Sequence, residues 1–309
     1  MHKQLSVLKE GDKIIIVAPA GKVNKDELEY GIEVLKSWGL VVELGQNIFG
    51  DDTYFSASDE RRLSDFQQAL DNENYKAIFC ARGGYGSVRI IEKLNWENFI
   101  KKPKWILGYS DITLILNKIQ YLGFPCIHSP MPASFSKYKN NNSLKYLHQL
   151  LFNGSYQFNF IPQNLVHKEN WKSTKGIITG GNLTLLQTTV GTPYRLSTKN
   201  KILFIEEIDE YPYKVNRMLY HLYHSGYFDS LKGIIIGNFN LQNQDNKFPY
   251  TVFETLTSFS INGLEFILDN FPSGHDFLNY PIVMGREITI LNQGNQVVAK
   301  ITLQDNNNS

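Results

Sequence analysis

The first half of the chain alternates between short apolar runs and longer segments with helical spacing. The apolar runs are residues 13–20, 41–45, 76–81, 104–109 and 124–128, and the helical segments are 24–38, 59–72, 87–94 and 112–123. Each run is continuously apolar rather than alternating, which is typical of strands that are buried on both faces. The pattern therefore predicts repeated β-α units and a parallel sheet that is covered by helices on both sides.

This alternation breaks down after residue 152. Residues 153–174 are polar, aromatic and irregular, and we interpret them as a linker between an N-terminal domain (1–152) and a C-terminal domain (175–309). A chain of 309 residues favours two domains, because single hydrophobic cores seldom grow to that size. The second half predicts strands at 176–180, 201–208, 232–239 and 265–271, helices at 182–191, 215–228 and 250–259, a β-hairpin at 287–303 and a frayed tail at 305–309.

Charge and cysteine usage exclude several classes of protein. The net charge is +1, so no broad field attracts nucleic acid or an anionic membrane surface. No apolar run is long enough to span a bilayer, and charges interrupt the N-terminal segment, so we expect no signal peptide. Cys80 and Cys126 both lie in apolar runs, which predicts buried free thiols and a cytoplasmic location.

A serine stands where the apolar run at 104–109 gives way to a helical segment. The stretch WILGYSDITLILNKI (105–119) places Ser110 and Asp111 directly before Ile112. Either side chain could cap the helix, since Ser and Asp are preferred N-caps. Alternatively, Ser110 is a nucleophile at the carboxyl edge of the sheet, where the helix N-terminus stabilises an oxyanion. The G-x-S-x-G motif of the α/β-hydrolases is not matched, because Ile112 occupies the second glycine position.

A glycine-rich loop follows the strand at 76–81. In FCARGGYGSVRII (79–91), Gly83, Gly84 and Gly86 allow backbone conformations and close approaches that other residues do not. The loop could cradle a phosphate, although it lacks the Lys-Ser/Thr of a P-loop and the G-x-G-x-x-G spacing. It could also be a tight strand-to-helix turn, or it could present an N–H donor to Ser110.

A nucleophilic serine needs a base, and the chain has seven histidines. His275 lies in a loop rich in proline and glycine, where site residues are common, and His128 ends a strand at the carboxyl edge, where it could line a pocket. The other five are interpreted as structural or superficial: His2, His148, His167, His221 and His224.

An orienting acid is available after the strand at 201–208. Alternation along a strand places Glu206 and Glu207 on opposite faces, so at most one of them points into a shared cleft. These carboxylates could form a solvated strand end, or one could hold a histidine tautomer and stabilise its imidazolium.

Five segments, in order, resemble the motifs of the LD-carboxypeptidases. They are ARGGYGSVRIIEKLNW, ILGYSDITLILNKI, GGNLTLLQTTVGTPY, LFIEEIDEYPYKVNRML and FPSGHDFLNYPIVMG. This serine peptidase family includes the murein tetrapeptide carboxypeptidases and the microcin C immunity peptidases. The resemblance runs from about residue 11 to residue 291. It implies that Ser110 is the nucleophile, Glu206 the acid and His275 the base, with the backbone N–H groups of Gly84 and Asp111 as oxyanion donors.

The resemblance also implies a fold and an activity. We expect a Rossmann-like parallel-sheet N-terminal domain, a smaller and mostly β C-terminal domain with some helices, a site between them and a homodimer. The expected reaction hydrolyses an L,D amide and releases terminal D-Ala from muropeptide tetrapeptides in murein recycling, without metal or cofactor. Arg82, beside the glycine loop, would bind a substrate carboxylate or, alternatively, pair with an acid across the turn.

Two other functions remain open from the sequence. A microcin C-type immunity peptidase would cleave a peptidyl- or aminoacyl-nucleotide amide with the same residues. A non-catalytic sugar- or nucleotide-binding module would use the glycine loop for its ligand, and Ser110 would then only cap a helix.

Overall fold

The computed structural model of the chain describes residues 5–50, 52–242 and 248–303. His2 and the tail at 305–309, which the sequence predicts to fray, lie outside these ranges.

The first half contains the predicted strands, with helices between them. The strands are β1 (Lys13–Val17), β2 (Val41–Leu44), β3 (Tyr75–Cys80), β4 (Trp105–Gly108) and β5 (Cys126–His128). The helices are α1 (Lys25–Ser37), α2 (Asp59–Asp71), α3 (Ser87–Ile90), α4 (Glu97–Lys101), α5 (Thr113–Tyr121) and α6 (Asn142–Asn153), with 3₁₀ turns at Ile91–Lys93, Ser110–Ile112 and Pro132–Tyr138.

Local sequence explains where these helices begin and end. A capping box of Asn24 and Glu27 opens α1, and the Ser58 hydroxyl accepts the Arg61 N–H at the start of α2. The helix predicted at 87–94 is shorter in the structure, with one α turn followed by a 3₁₀ turn. Its β-branched residues Val88, Ile90 and Ile91 lower the helix propensity of that segment.

The second half is richer in strands. They are β6 (Ser155–Phe160), β7 (Leu165–His167), β8 (Ser173–Asn182), β9 (Ile202–Ile208), β10 (Gly233–Asn240), β11 (Phe266–Leu268), β12 (Ile282–Met284), β13 (Glu287–Asn292) and β14 (Val297–Thr302). The helices are α7 (Leu183–Thr188), α8 (Pro212–His224) and α9 (Val252–Thr257).

The interpretation of residues 153–174 as irregular is wrong, because β6, β7 and the start of β8 lie within them. In β6, Tyr156 and Phe158 are buried while Ser155, Gln157 and Asn159 are exposed, which is the two-residue period of an edge strand. The division into domains at this segment stays a prediction.

Two sheets result, and they confirm the predicted fold class. The first has the order β12-β5-β4-β3-β1-β2, in which β1 to β5 are parallel and β12 is antiparallel to β5. The second has the order β6-β14-β13-β8-β9-β10-β11-β7, with parallel strands from β8 to β11 and antiparallel pairs on both sides. The predicted hairpin is the antiparallel pair of β13 and β14.

The connection from β11 to β12 crosses between the sheets. Strand β11 belongs to the second sheet and β12 to the first, so the loop at 269–281 runs from one sheet to the other. Strand β12 pairs with β5 through Ile282 and His128, and β5 pairs with β4 through His128 and Gly108. This pairing brings the loop that carries His275 to the carboxyl edge of β4. That strand ends at Gly108, two residues before Ser110.

Both cysteines, Cys80 and Cys126, are buried free thiols, as predicted. Within the described ranges, no helix combines the length and the hydropathy that crossing a bilayer requires.

Candidate active site

Ser110 has an unusual backbone conformation. It opens the 3₁₀ turn between β4 and α5 with a φ of 62°, in the left-handed region that non-glycine residues adopt at a cost of about 1–3 kcal/mol. Neither the turn nor α5 has a side-chain capping hydrogen bond. The capping role that the sequence left open is therefore absent at these two helix starts. A strained serine at a sharp strand-to-helix turn is instead the geometry of an exposed nucleophile.

Asp111 ties this turn to the glycine-rich loop. Its buried carboxylate accepts the Ser87 backbone N–H at 2.8 Å, and its carbonyl accepts the Ser87 hydroxyl at 2.8 Å. Burial raises the pKa of the Asp111 carboxyl above its usual range. The side chain of Asp111 therefore serves α3 and not its own helix, and it holds the start of α3 against the Ser110 turn.

The glycine loop approaches Ser110 closely. A Cβ atom added to Gly83 would lie 2.9 Å from the Ser110 Cβ and 3.1 Å from its Oγ. Gly84 follows with a φ of 96°. Only glycine allows this approach, so the third interpretation of the loop, an N–H donor facing Ser110, has the proximity that it requires. The Asp111 N–H is near the start of a helical turn, where N–H groups lack intrahelical partners.

A buried arginine joins three segments around this loop. The Arg62 guanidinium donates to the carbonyls of Ala57 and Gly86, both at 3.1 Å, and also to the carbonyl of Pro19. It forms an ion pair with Asp59. Sequence reasoning missed this residue. The available signal was its position on α2, four residues before the buried Phe66, which puts a cation on the apolar face of the helix.

We expect Arg62→Met to lower the free energy of unfolding by about 3–5 kcal/mol, because it leaves buried carbonyls without their donor and removes one partner of Asp59. Urea unfolding monitored by circular dichroism measures the change. Arg61→Met is the matched control, since Arg61 is the exposed neighbour on the same helix. Equal losses in the two variants would contradict a specific role for the buried guanidinium.

His275 and Glu206 form a buried pair. The His275 Nδ1 lies 2.6 Å from the Glu206 Oε2, and the two side chains are 10% and 0% exposed. Burial alone lowers the pKa of His275, but the neighbouring Glu206 charge outweighs it, and the net pKa is raised. Burial alone raises the pKa of Glu206, but the interaction with His275, with smaller contributions from His128 and Asn182, outweighs it, and the net pKa is lowered. Each partner therefore stabilises the charged form of the other.

The pair lies beside the Ser110 turn. The His275 ring centroid is 4.6 Å from that of Tyr109, the residue directly before Ser110. The structure thus places the residue next to Ser110 against the His275–Glu206 pair, and a triad of the three side chains stays a prediction.

Glu207 points the other way, as strand alternation predicts. Its carboxylate accepts from the Asn182 side chain at 2.9 Å and from the backbone N–H and hydroxyl of Thr184, both at 2.8 Å. It thereby stabilises the start of α7. Burial raises the pKa of Glu207. Of the two neighbouring acids, only Glu206 contacts His275.

Arg82 and three further histidines were also considered in the sequence, and the structure shows what surrounds each of them. Arg82 forms an exposed ion pair with Glu27 at 3.2 Å, which is the alternative that the sequence left open, and its binding to a substrate carboxylate stays a prediction. His128 lies at the carboxyl edge as expected, but it is fully buried. His221 and His224 are on the surface of α8, as predicted.

A cleft of about 690 Å³ opens next to the His275 loop. Its walls include Asp276, Asn238, Asn216 and Tyr250, but not the three residues of the candidate site. The described ranges contain no group of three His, Cys, Asp or Glu side chains arranged to hold a metal ion.

A strained serine near a buried histidine–carboxylate pair is typical of serine-type hydrolases. The sequence matches the LD-carboxypeptidase N-terminal domain over residues 14–129 and the LD-carboxypeptidase C-terminal domain over residues 175–290. The chain belongs to the LD-carboxypeptidase family, and it is a serine-type peptidase.

Relatives and solved structures agree with this assignment. A probable murein peptide carboxypeptidase of Bacillus subtilis is 33% identical over 75% of this chain and 74% of its own length. The crystal structure of muramoyltetrapeptide carboxypeptidase from Oxalobacter formigenes is 26% identical, with a TM-score of 0.83 over 94% of this chain and 98% of that one. The microcin C7 self-immunity protein MccF in complex with aspartyl sulfamoyl adenosine shares the fold, with a TM-score of 0.84 at 22% identity over 97% of this chain and 98% of that one.

Proposed function

We propose that this peptidase hydrolyses the L,D amide bond of muropeptide tetrapeptides and releases their terminal D-alanine, with Ser110, His275 and Glu206 as its catalytic triad. The observation that carries the proposal is the strained Ser110, which makes no capping hydrogen bond at its helix start, next to a buried Glu206–His275 pair. The names of the B. subtilis and O. formigenes proteins support the substrate class.

The mechanism follows from the hydrogen bonds of His275. Glu206 accepts a hydrogen bond from the Nδ1–H of His275, so that Nε2 is free to take the Ser110 proton as the hydroxyl attacks the carbonyl carbon. The oxyanion then accepts hydrogen bonds from the backbone N–H groups of Gly84 and Asp111. Each such donor typically stabilises the transition state by about 3 kcal/mol. His275 next protonates the departing D-alanine amine, and water hydrolyses the acyl-enzyme by the same route.

Two features of the structure, an exposed arginine and a cleft, bear on substrate binding. Arg82 would bind the terminal carboxylate by exchanging its exposed pairing with Glu27 for the substrate. The 690 Å³ cleft beside Asp276 has amide and aromatic walls that suit the rest of a muropeptide. A role in murein recycling, a cytoplasmic location and a homodimer belong to the same proposal, and the buried free thiols are consistent with the cytoplasm.

The test is mass spectrometry of the tetrapeptide L-Ala–D-Glu–meso-diaminopimelate–D-Ala after incubation with wild type and with Ser110→Ala. We expect wild type alone to remove one alanine. If no alanine is lost but an active-serine probe still labels Ser110, the substrate proposal is wrong, and nucleotide-linked amides of the microcin C type are tested next. If neither loss nor labelling occurs, the proposed nucleophile is wrong and a binding module remains.

A further inference from the structure

Several buried polar atoms behind Glu206 have no hydrogen-bond partner among the residues that the structure describes. They are Glu206 Oε1, both ring nitrogens of His128, Asn279 Nδ2 and the Tyr138 hydroxyl. Buried polar atoms are nearly always paired, directly or through an ordered water. A set of unpaired donors and acceptors next to a triad carboxylate therefore indicates a hydrogen-bond network that the triad itself does not account for.

The position of His128 brings its ring to Glu206. His128 ends β5 and is fully buried, and its ring centroid lies 5.1 Å from that of Phe204 and 5.6 Å from that of Tyr109. Phe204 and Glu206 are two residues apart on β9, so their side chains share one face of that strand. The ring of His128 thus packs on the face of β9 that presents Glu206 to His275.

The protonation state of His128 limits what it can do. Burial lowers the pKa of His128 to about 4, so the ring is neutral at pH 7. One nitrogen of a neutral imidazole donates a hydrogen bond and the other accepts one. Glu206 Oε1 is a carboxylate oxygen with a lowered pKa, and it can only accept.

Asn279 determines which nitrogen accepts. Its Oδ1 already accepts the Gly274 backbone N–H and the Ser273 hydroxyl, both at 3.1 Å. The amide group is thereby oriented, and its unpaired Nδ2 can only donate. Asn279 lies beside the His128 ring. The unpaired atoms of Asn279, His128 and Glu206 all find partners if Asn279 donates to His128 and His128 donates to Glu206; the Tyr138 hydroxyl is not part of this chain of hydrogen bonds.

We propose that His128 is a positioning residue of this site, which donates a hydrogen bond to Glu206 Oε1, directly or through one buried water, and is held in that tautomer by Asn279. This inference rests on the proposed function. Glu206 is then held at both oxygens, by His275 at Oε2 and by His128 at Oε1. Its carboxylate cannot rotate away from His275, and the hydrogen bond from His128 stabilises part of its negative charge.

Other titratable and charged groups face this network, and the variants below leave all of them in place. They are Glu207 on β9, Lys137 and Tyr138 in the Pro132–Tyr138 turn, Tyr109 at the end of β4, and Asp276 beside His275.

The kinetic test compares His128→Phe with wild type on the tetrapeptide. We expect kcat to fall at least tenfold with KM changed less than threefold, because Glu206 is no longer held in place. We also expect the acid limb of kcat/KM to move to higher pH, since the charge of Glu206 then acts on His275 alone and raises its pKa further. Unchanged kcat, or an acid limb that stays in place or moves to lower pH, would overturn the proposal.

Two further variants and a control separate the hydrogen bond from packing. His128→Asn and His128→Gln put an amide N–H near the positions of Nδ1 and Nε2, and we expect one of them to recover kcat to within threefold of wild type. Failure of both would count against the donor role. His148→Phe is the matched control, because His148 stacks on Phe152 away from the site and its loss should leave the pH profile unchanged.

A second measurement is independent of turnover. In ¹⁵N-histidine NMR titrations, we expect His128 to occupy one neutral tautomer at pH 7, and His275 to titrate at higher pH in His128→Phe than in wild type. A mixture of tautomers, or an unchanged His275 titration, would overturn the proposal even if the substrate were different. Loss of Ser110-dependent hydrolysis alone, with these NMR results intact, would instead overturn the proposed function.

Discussion

Ser110→Gly is expected to abolish hydrolysis and, at the same time, to give a more stable protein than Ser110→Ala. Both variants lack the hydroxyl, and loss of a triad nucleophile lowers kcat by about 10⁶-fold in serine peptidases. The two differ in the backbone, because alanine keeps a Cβ at a φ of 62° and glycine does not. Left-handed conformations cost L-residues about 1–2 kcal/mol, so we expect glycine to exceed alanine by about 1 kcal/mol in unfolding free energy.

Turnover by mass spectrometry and urea unfolding measure the two effects. Gly123→Ala is a control for the backbone term, because Gly123 has a φ of 85° with no neighbouring atom within 4 Å of an added Cβ, and it lies outside the site. That control should lose stability without losing activity. Equal unfolding free energies of the two Ser110 variants would mean that the turn is not strained. Hydrolysis at the wild-type rate by either variant would mean that Ser110 is not the nucleophile.

Glu206→Gln is expected to lower kcat by about 10⁴-fold, as the loss of the carboxylate does in related triads. It is also expected to move the acid limb of kcat/KM to lower pH. The pKa of His275 is raised because the Glu206 charge outweighs burial. An uncharged amide removes that contribution and leaves burial, which lowers the pKa. The residual activity should therefore appear at lower pH than in wild type.

The pH–rate profiles of the two proteins measure this shift. Glu207→Gln is the comparison: Glu207 contacts Asn182 and Thr184, and its charge raises the His275 pKa less than that of Glu206, so we expect a smaller shift in the same direction. The raised pKa of His275 also makes the free energy of unfolding depend on pH. Its stabilising contribution is fully present below the unfolded pKa of 6.5 and is lost as pH rises through the folded pKa. A limb that stays in place or moves upward in Glu206→Gln would contradict the assigned pair.

Much of this protein could be predicted from local patterns. Continuous apolar runs separated by helical spacing predicted β1 to β5 and their parallel sheet, because strand and helix periods are visible within a few residues. Alternation also separated Glu206 from Glu207, since neighbouring side chains on a strand lie on opposite faces. Ser110, Glu206 and His275 were named from motifs that resemble one family. The resemblance, rather than spacing, connected them.

Other features depend on contacts between residues that are distant in the sequence. The polar composition of residues 153–174 hid two strands, because an edge strand is recognised by its partner and not by its hydrophobicity. Arg62 looked ordinary in the sequence, and His128 was named only as a residue that could line a pocket. The carbonyls around the glycine loop that Arg62 binds, and the face of β9 on which His128 packs, are visible only in the structure.

The sequence by itself therefore determined most of the strands and helices and the chemical groups available for catalysis, since these depend on short-range periodicity and side-chain chemistry. Only the tertiary structure decided that His275 pairs with Glu206 and lies beside the Ser110 turn. The chain leaves the second sheet after β11 and joins the first as β12, so the loop between them carries His275 to Tyr109, the neighbour of Ser110. Strand pairing across two sheets is a long-range interaction, and no local pattern specifies it.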